Sequence, residues 1–564
     1  MKRVPILMTF TALAALGMSA LSAMADTRPR IAAPSELPPE AAGGSPYGQF
    51  LAGRVAVNLG STETGASYLA RAAGGAPDID SVRERAFTTA LIAGDLDVAA
   101  RLAPTGRETS ATFREAGRLT QAVRRLGAGD ARGANQLLRD NPIGFPHARA
   151  GQFVSPWVAA AANDWERALA QPPATLDPLS LAFGRYHRAL LLEHRRRFDE
   201  AEAEIRDLAT TAPLSVLFRV PYGEYLERRG RRTEALALYQ QALDEGADDL
   251  ALQVAFARAS TGQSAPAAIT LIEGAAMGLA TAAAIAQAEE VNEFAVIYLR
   301  LANGLTPEEA SLLLLGELFT SIGLNQQARD VWAQVRPDEP LLYAAARQQM
   351  AMNLIDEERS AEALVEIRRA AAALPEDPTV QLMLASVLMG EGQYEEAVEV
   401  MNGPVLNMED QGWMVRYMRG SLYQELGRNA EAEAELWAAL QLEPDDAPTL
   451  NNLGYLWIDT GTRVDEGAEM VARAVAANPD SGHYQDSLGW AQYRMGQYEE
   501  AVETLELAVS LEPGSAVIND HLGDAYWRVG RRREATFQWS RALSLDPDES
   551  LSAEIERKLR EGLD

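Results

Sequence analysis

Apolar residues recur every three to four positions along most of the chain, whereas the strict apolar–polar alternation of a strand is scarce. After a segment rich in proline and glycine at 26–46, alanine, leucine, glutamate and arginine dominate. Apolar residues at this spacing form one face of a helix, and the polar residues between them face water. The pattern therefore predicts an all-α protein that begins after a flexible spacer.

A fixed period of 34 to 35 residues is superimposed on the helical pattern in the C-terminal half. Glycine, alanine and proline all share this step, each at its own place in the repeat. The residues are Gly420, Gly454, Gly489 and Gly523, then Ala439, Ala474, Ala508 and Ala542, then Pro444, Pro479, Pro513 and Pro547. Several residue types on one period indicate a stack of identical supersecondary units.

The repeating unit resembles the tetratricopeptide repeat (TPR), a helix–turn–helix unit of about 34 residues. The family's leucine–glycine pair in the first helix is matched by Leu453-Gly454, Leu488-Gly489 and Leu522-Gly523. Its large apolar residue in the second helix falls on Leu436, Val471, Leu505 and Trp539. The resemblance implies a helical-hairpin solenoid, a TPR superhelix, whose first helices line a concave face.

Packing physics accounts for these residue types. Two antiparallel helices approach closely only where side chains are small, so glycine and alanine occupy the contacts. Proline cannot continue a helix and therefore marks where one repeat ends. One helical hairpin cannot bury its apolar face alone, so neighbouring hairpins must stack.

The regularity of the repeat varies along the chain. Two clear repeats are predicted over 182–249, and hairpins of uneven length over 80–180 and 250–305. Seven repeats form the regular array, in which Pro404 is expected to distort one second helix. We divide the chain into a signal peptide at 1–25, a linker at 26–46, divergent repeat-like hairpins at 47–308, a regular array at 309–549 and a capping helix at 550–564.

The C-terminal helix is predicted to close the stack. It carries two oppositely charged pairs at i, i+4, Glu554 with Lys558 and Glu556 with Arg560. An open-ended stack needs a terminal helix with one apolar and one polar side. The apolar stripe consists of Leu551, Ile555 and Leu559.

The N-terminus is predicted to be an export signal. A short positive start is followed by an apolar run and by Ala23-Met24-Ala25, the small-residue pattern of a cleavage site before Asp26. The protein is therefore expected to be exported and periplasmic. The alternative is an inner-membrane anchor at 4–25 that faces the periplasm, since the run nearly reaches spanning length. No later segment is expected to span a membrane, and the alanine-rich stretch at 275–288 comes nearest.

Composition excludes several function classes. The formal charge of −29 argues against a nucleic-acid partner, whose phosphates require lysine and arginine. Cysteine is absent, which removes thiolate catalysis, cysteine-bound zinc and disulfides. The only lysines are Lys2 and Lys558, so no P-loop or Schiff-base lysine is available. Almost all of the acidic excess lies in 309–564, which indicates either solubility or a surface for a basic partner.

The resemblance also implies where a partner would bind. Polar and aromatic residues of the first helices would line the concave groove. Some family members clamp a partner's C-terminal carboxylate with lysine, arginine and asparagine, but three lining positions here hold aspartate. A neutral or basic protein segment is therefore the more plausible partner than an anionic one. The predicted groove residues are Asn451, Asn452, Tyr455, His483, Asp486, Trp490, Arg494, Asp520, His521, Asp524, Trp527 and Arg528.

No arrangement of residues predicts catalysis, a metal or a cofactor. None of the five histidines forms an H-E-x-x-H motif. His187 and His194, seven apart, share a helix face but lack further ligands. His483 precedes Asp486, and His521 precedes Asp524, by three residues in successive repeats. We interpret these two pairs as polar groove residues and not as catalytic pairs.

The sequence thus favours a non-enzymatic protein–protein interaction scaffold of the cell envelope. Two alternatives remain open at this point. One is a membrane-anchored structural subunit of an envelope secretion or polysaccharide-export complex, held by an uncleaved N-terminus. The other is an enzyme with a helical-toroid active site, which would need a buried acid in an enclosed cavity. Membrane contact is expected only if the N-terminus is uncleaved.

Overall fold

The computed structural model describes residues 44–563, apart from 105, 107–108, 212–213, 246–249 and 409–410. The predicted signal peptide at 1–25, and all but the end of the predicted linker, lie outside the described residues. Within them the chain forms thirty α-helices, one short 3₁₀ helix and no strand. The prediction of an all-α fold built from helical hairpins is confirmed.

The chain divides into two compact units, an N-terminal unit that ends at Asn353 and a C-terminal unit that begins at Leu354. The division falls inside the helix over Pro340–Asp356. The boundary predicted at 308/309 marks where the sequence repeats become regular and not where two compact units meet. It lies within the N-terminal unit.

In the N-terminal unit most helices pack on their neighbours in the chain. Its helices are α1 (Pro46–Asn58), α2 (Thr62–Gly75), α3 (Asp80–Ala93), α4 (Leu96–Leu102), α5 (Ala111–Gly127), α6 (Ala131–Asp140), α7 (Ala148–Ala161), α8 (Trp165–Ala168), α9 (Pro178–His194), α10 (Phe198–Thr210), the 3₁₀ helix (Leu214–Phe218), α11 (Arg219–Arg228), α12 (Arg232–Asp244), α13 (Leu250–Ser260), α14 (Leu271–Ala288), α15 (Asn292–Leu305), α16 (Glu309–Ser321), α17 (Asn325–Trp332) and α18 (Pro340–Asp356), which contains the division.

The C-terminal unit alternates first and second helices of successive repeats and ends in one further helix. Its helices are α19 (Ser360–Ala373), α20 (Pro378–Gly390), α21 (Tyr394–Met401), α22 (Trp413–Glu425), α23 (Asn429–Leu442), α24 (Ala447–Thr460), α25 (Val464–Ala477), α26 (Gly482–Arg494), α27 (Tyr498–Leu511), α28 (Ala516–Arg528), α29 (Arg532–Leu543) and α30 (Glu549–Glu561).

The two helices of a regular repeat meet at a glycine. A Cβ atom added to Gly489 would lie 2.6 Å from Leu505 Cγ, and one added to Gly420 would lie 2.7 Å from Leu436 Cγ. These distances are too short for a carbon contact, so only glycine permits this approach. The same pairing joins Gly454 to Val471, Gly523 to Trp539, Gly316 to Trp332 and Gly223 to Tyr239.

Helix boundaries are set by polar caps and by glycine turns. Asp446 accepts a hydrogen bond from the amide of Thr449 at 2.9 Å, which satisfies a free donor at the start of α24. Gly496 has a φ of +79° in the turn from α26 to α27, a conformation that favours glycine. The sequence therefore encodes both the start of the first helix and the reversal that follows it.

The repeat that contains Pro404, whose second helix was expected to be distorted, has a short second helix. Helix α21 has eight residues, whereas α23 and α25 each have fourteen. The buried guanidinium of Arg419 donates to the carbonyl of Met401 at 3.1 Å and to that of Leu406 at 3.2 Å. Arg419 thus satisfies backbone acceptors that the missing helical turns leave free.

Helix α14 is the packed centre of the N-terminal unit. Among the described residues it alone is long and apolar enough to cross a membrane. The expectation that no segment after the N-terminal run is apolar enough to do so is therefore corrected. Its small residues allow close contact with α7, where Gly274 meets Trp157 and a Cβ on Gly278 would lie 2.8 Å from the carbonyl of Phe153. Most of the helix is buried between α7 and α15, which is typical of a core helix.

Helix α30 packs its predicted apolar stripe on the last repeat. Ile555 is fully buried, and Leu551 and Leu559 pack against the cluster that contains Trp539. The indole of Trp527 donates to the carbonyl of Leu563 at 2.9 Å. The prediction of a C-terminal capping helix is confirmed.

Candidate functional site

The predicted groove residues lie on three consecutive first helices of the C-terminal unit, α24, α26 and α28. Each of these helices contacts the next. On α26, the residues His483, Asp486, Trp490 and Arg494 are spaced by three and four positions and therefore share one face. The structure thus brings the predicted residues of the three repeats together.

Their exposure divides them into three groups. Three are exposed to solvent, five are partly buried and four are buried in the structure. In that order they are His483, Arg494 and Arg528, then Asn451, Asn452, Tyr455, Trp490 and Trp527, and then Asp486, Asp520, His521 and Asp524.

The two buried aspartates of α28 hold a lysine from the capping helix. Lys558 Nζ lies 2.6 Å from Asp520 Oδ2 and 2.9 Å from Asp524 Oδ2, and the lysine side chain is 3% exposed. The expectation that Asp520 and Asp524 line an open groove is therefore corrected. Helix α30 covers both aspartates and supplies the cation that two buried carboxylates require.

A second buried ion pair joins neighbouring repeats. His521 Nδ1 lies 2.9 Å from Asp486 Oδ1, so the histidine pairs with the aspartate of the preceding repeat and not with Asp524, three residues along its own helix. Asp524 instead accepts a hydrogen bond from the indole of Trp539 at 2.9 Å. Trp490 stacks on the His521 ring with centroids 4.2 Å apart and covers this pair.

The charges of Asp520, His521, Asp524 and Lys558 depend on one another. Burial and the neighbouring Asp524 raise the pKa of Asp520 to about 6, although Lys558 opposes the shift. Burial also raises the pKa of Asp524. Burial alone would lower the pKa of His521, but the carboxylate of Asp486 outweighs it and the pKa is raised. Folding therefore favours protonated forms in this cluster.

Other predicted residues tie adjacent first helices to one another. Asn452 Nδ2 donates to Ser421 Oγ at 3.1 Å, and the guanidinium of Arg494 donates to the carbonyl of Asp459 at 2.7 Å. Arg528 Nε lies 3.2 Å from the hydroxyl of Tyr493 and donates to it. These side chains stabilise the stacking of repeats whether or not a partner is bound.

Three polar atoms on this surface have no hydrogen-bond partner. They are Asn451 Oδ1 on α24, Trp490 Nε1 on α26 and Asp520 Oδ1 on α28. Buried polar atoms are paired in most folded proteins, and these three unpaired atoms lie on three successive first helices. We call the partly open part of this surface the polar strip, defined as Asn451, Tyr455, His483, Trp490 and Arg494.

The histidine pair of α9 has a packing role. The indole of Trp157 donates to His187 Nδ1 at 2.9 Å, and burial lowers the pKa of this histidine to about 3. His194 stacks on Trp165 with centroids 5.9 Å apart. Across the part of the chain that the structure describes, no group of three or more histidine, aspartate or glutamate residues is arranged to hold a metal ion.

Lys558 and Arg419 are the two most buried of the cations that the sequence interpretation missed. Lys558 was assigned only a surface pair with Glu554, and that contact is present at 3.3 Å. The available signal was its rarity, because Lys558 is one of only two lysines in the sequence and falls on the covered side of the capping helix. Arg419 has no comparable signal, since arginine is abundant throughout.

Family models of the tetratricopeptide repeat match the chain in several places. The matched residues are 186–249, 354–411, 415–446 and 483–515. They include the two repeats predicted upstream and much of the predicted regular array.

Two curated proteins are similar over about a third of the chain. A TPR repeat-containing protein of Pseudomonas aeruginosa is 33% identical over 196 residues, which are 34% of this chain and 32% of that protein. A human protein O-mannosyl-transferase is 27% identical over 205 residues, which are 34% of this chain and 22% of that protein. The chain thus matches about a third or less of the length of either relative.

Solved helical-repeat structures also align with the chain. A tetratricopeptide repeat protein from Parabacteroides merdae covers 45% of this chain and 97% of its own, with 18% identity and a TM-score of 0.38. The Cut9–Hcn1 hetero-tetramer of the APC/C has a chain that covers 93% of this chain and 97% of its own, with 14% identity and a TM-score of 0.37.

Proposed function

Because the chain carries tetratricopeptide repeats, we propose that it is a non-enzymatic scaffold of the cell envelope that binds a segment of a partner protein along the polar strip. Tetratricopeptide repeats support protein–protein interaction as the general function. The location in the cell envelope and the binding of the partner along the polar strip are the more specific parts of the proposal.

The unpartnered atoms of successive first helices are the observation that carries this proposal. Asn451 Oδ1 accepts hydrogen bonds and Trp490 Nε1 donates them, and neither has a partner in the folded chain. An extended polypeptide presents N–H and C=O groups in alternation, so it supplies both kinds of partner. Both atoms are buried in the unbound chain, so their side chains must rotate outward to reach the segment. Each hydrogen bond then contributes about 1 kcal/mol to binding.

The charge of the strip favours a neutral segment. The aspartates that suggested a basic partner are paired internally, Asp520 and Asp524 with Lys558 and Asp486 with His521. The exposed members of the predicted set are His483, Arg494 and Arg528, none of which is acidic. A basic segment would therefore meet no free carboxylate among the predicted residues.

The envelope location is supported by the sequence at 1–25. Cell fractionation tests it together with the anchored alternative. Release by osmotic shock is expected for a cleaved periplasmic protein. Retention in the membrane through high salt would instead favour the anchored structural subunit, held by residues 4–25.

Recovery of the partner from envelope extract tests the strip. Full-length tagged protein is compared with the double variant Asn451→Ala, Tyr455→Ala. A matched control is Phe537→Ala, which truncates an aromatic residue that is 68% exposed on the second helix α29. The partner recovered with wild type and with the control should be reduced about tenfold or more with the double variant. Equal recovery with all three proteins would contradict the proposal.

A further inference from the structure

The N-terminal unit contains a cavity of about 640 Å³ that the polar strip does not involve. Helices α9, α11, α14, α15 and α16, with residues 266–270, surround it. A volume of this size is typical of pockets that bind a small organic ligand or a few residues of a peptide. Apolar side chains form much of its wall, among them Phe183, Tyr186, Leu190, Met277, Ala280 and Ala284.

Two side chains in the wall of the cavity have polar atoms without partners. Ser311 is 3% exposed, and its Oγ makes no hydrogen bond. Neither Oδ1 nor Nδ2 of Asn303 has a partner. A buried amide with both its acceptor and its donor unsatisfied costs folding free energy. A ligand group that both donates and accepts, as a peptide bond does, would satisfy Asn303 at both atoms.

The wall of the cavity carries an excess of negative charge. Only two cations line it, and each already contacts a glutamate. Arg228 makes two hydrogen bonds of 2.9 Å with Glu193, which lies outside the wall, and Arg336 pairs with Glu309. The acidic wall residues are Glu224, Glu273, Glu308, Glu309 and Glu339. Glu224 pairs with Arg258 outside the wall, so with the outside partners included six glutamates stand against three arginines. This imbalance favours a cationic ligand over an anionic one.

We propose that this cavity binds a short segment of a partner protein in which a large apolar side chain stands beside a lysine or arginine. The apolar side chain fills the space beside Ala280 and Ala284, and the segment's backbone pairs with Asn303 and Ser311. The neighbouring cation lies among the glutamates of the wall. This second site is independent of the polar strip, so the chain joins two partner segments at once.

Synthetic peptides test the predicted chemistry. The probe is a fluorescein-labelled hexapeptide that alternates leucine and arginine, added to the full-length protein and followed by fluorescence anisotropy. One comparison peptide replaces arginine with glutamate, and the other replaces leucine with serine. The leucine–arginine peptide should bind about tenfold more tightly than either. Equal binding of all three peptides, or no binding of the first, would overturn the proposal.

Variants of α14 locate the binding. Ala280→Trp fills the cavity and should weaken binding of the probe about tenfold or more. Ala288→Trp makes the same change at an exposed position at the end of the same helix and should leave binding unchanged. Equal affinities in the two variants would place the peptide elsewhere and contradict the proposal.

Asn303→Leu gives a second readout that does not require the cavity to accept a tryptophan. Leucine has a similar volume and removes the unpartnered amide, so the variant should resist urea at least as well as wild type. It should nevertheless bind the probe more weakly. Unchanged binding would remove Asn303 from the site, and the proposed backbone pairing with it.

Charge variants separate a cationic ligand from a purely apolar one. Glu339→Gln should weaken binding of the leucine–arginine probe, whereas Glu293→Gln, exposed and outside the wall, should not. Displacement of a neutral apolar dye without binding of the peptide would identify an apolar-ligand pocket and overturn the peptide proposal. The double variant Asn451→Ala, Tyr455→Ala should bind the probe normally, so failure of one site is distinguishable from failure of the other.

Discussion

Lys558 Nζ lies 2.6 Å from Asp520 Oδ2, although the two residues are thirty-eight positions apart, and both side chains are buried. The contact joins the capping helix α30 to the first helix of the last repeat. A buried lysine is expensive to desolvate and needs close carboxylates, which Asp520 and Asp524 provide. The end of the stack is therefore fixed by charge as well as by apolar contact.

Replacing Lys558 with methionine should destabilise the C-terminal unit by about 3–5 kcal/mol, because it leaves two carboxylates buried without a cation. The measurement is urea unfolding of the full chain at neutral pH. The matched control is Arg557→Met on the exposed side of the same helix, which should change stability by less than about 0.5 kcal/mol.

The triple variant Lys558→Met, Asp520→Asn, Asp524→Asn checks the physical reason for that loss. It removes the carboxylates together with their cation, so most of the lost stability should return. If the triple variant is as unstable as Lys558→Met alone, the loss reflects packing of the lysine stem and not its charge.

The pH dependence of the same cluster has a definite sign. The pKa of Asp520 is raised to about 6 and that of His521 is also raised, so the folded state binds more protons than the unfolded state. Their contribution to the free energy of unfolding is complete below the pKa values of the unfolded state. It is lost as the pH rises through the pKa values of the folded state. The urea midpoint of wild type minus that of His521→Gln should therefore fall as pH rises above about 6.5. A difference that is constant with pH would contradict the buried ion pair with Asp486.

Two buried histidines of the N-terminal unit should give stability the opposite dependence on pH. Burial lowers the pKa of His187 to about 3 and that of His147 to about 4, so each folds in its neutral form. Their contribution is present above about pH 6.5 and is lost as pH falls toward these values, by up to about 1.4 kcal/mol per pH unit for each. His187→Gln should lose stability less steeply than wild type when urea unfolding is compared at decreasing pH. Parallel curves would show that His187 is protonated or exposed in the folded chain.

The glycine contact between the helices of a repeat can be tested at Gly489. Gly489→Ala places a Cβ 2.6 Å from Leu505 Cγ and should cost about 1–2 kcal/mol, despite the better helix propensity of alanine. Gly390→Ala is the control, since nothing lies within 4 Å of an added Cβ at that helical position. The control should be neutral or stabilising by up to about 1 kcal/mol. Equal effects of the two substitutions on the thermal midpoint would argue against close helix contact at Gly489.

The repeat and its internal contacts follow from the sequence because they are local. Gly489 and Leu505 stand sixteen positions apart, the hairpin between them is fixed by a turn, and each repeat restates the same pairing. The disturbance of α21 was likewise predictable, since Pro404 lies three residues past its end at Met401 and cannot continue the helix.

Contacts between repeats were less predictable, because spacing within one helix does not reveal a partner on another. His521 and Asp524 are adjacent on the surface of one helix, yet the histidine pairs with Asp486 of the preceding repeat. Lys558 reaches back over the last repeat in the same way. The cavity beside Asn303 lies among helices of uneven length, where no period indicates which side chains will meet.

Site-specific photocrosslinking tests the central claim, binding of a partner segment along the polar strip, most directly. A photoreactive phenylalanine is placed at His483 or Arg494 of the full-length protein, and at Phe537 as the exposed control on a second helix. Irradiation in the native envelope should yield the same crosslinked partner from both strip positions and none from the control. No adduct at either strip position, or an equal yield at Phe537, would contradict the account.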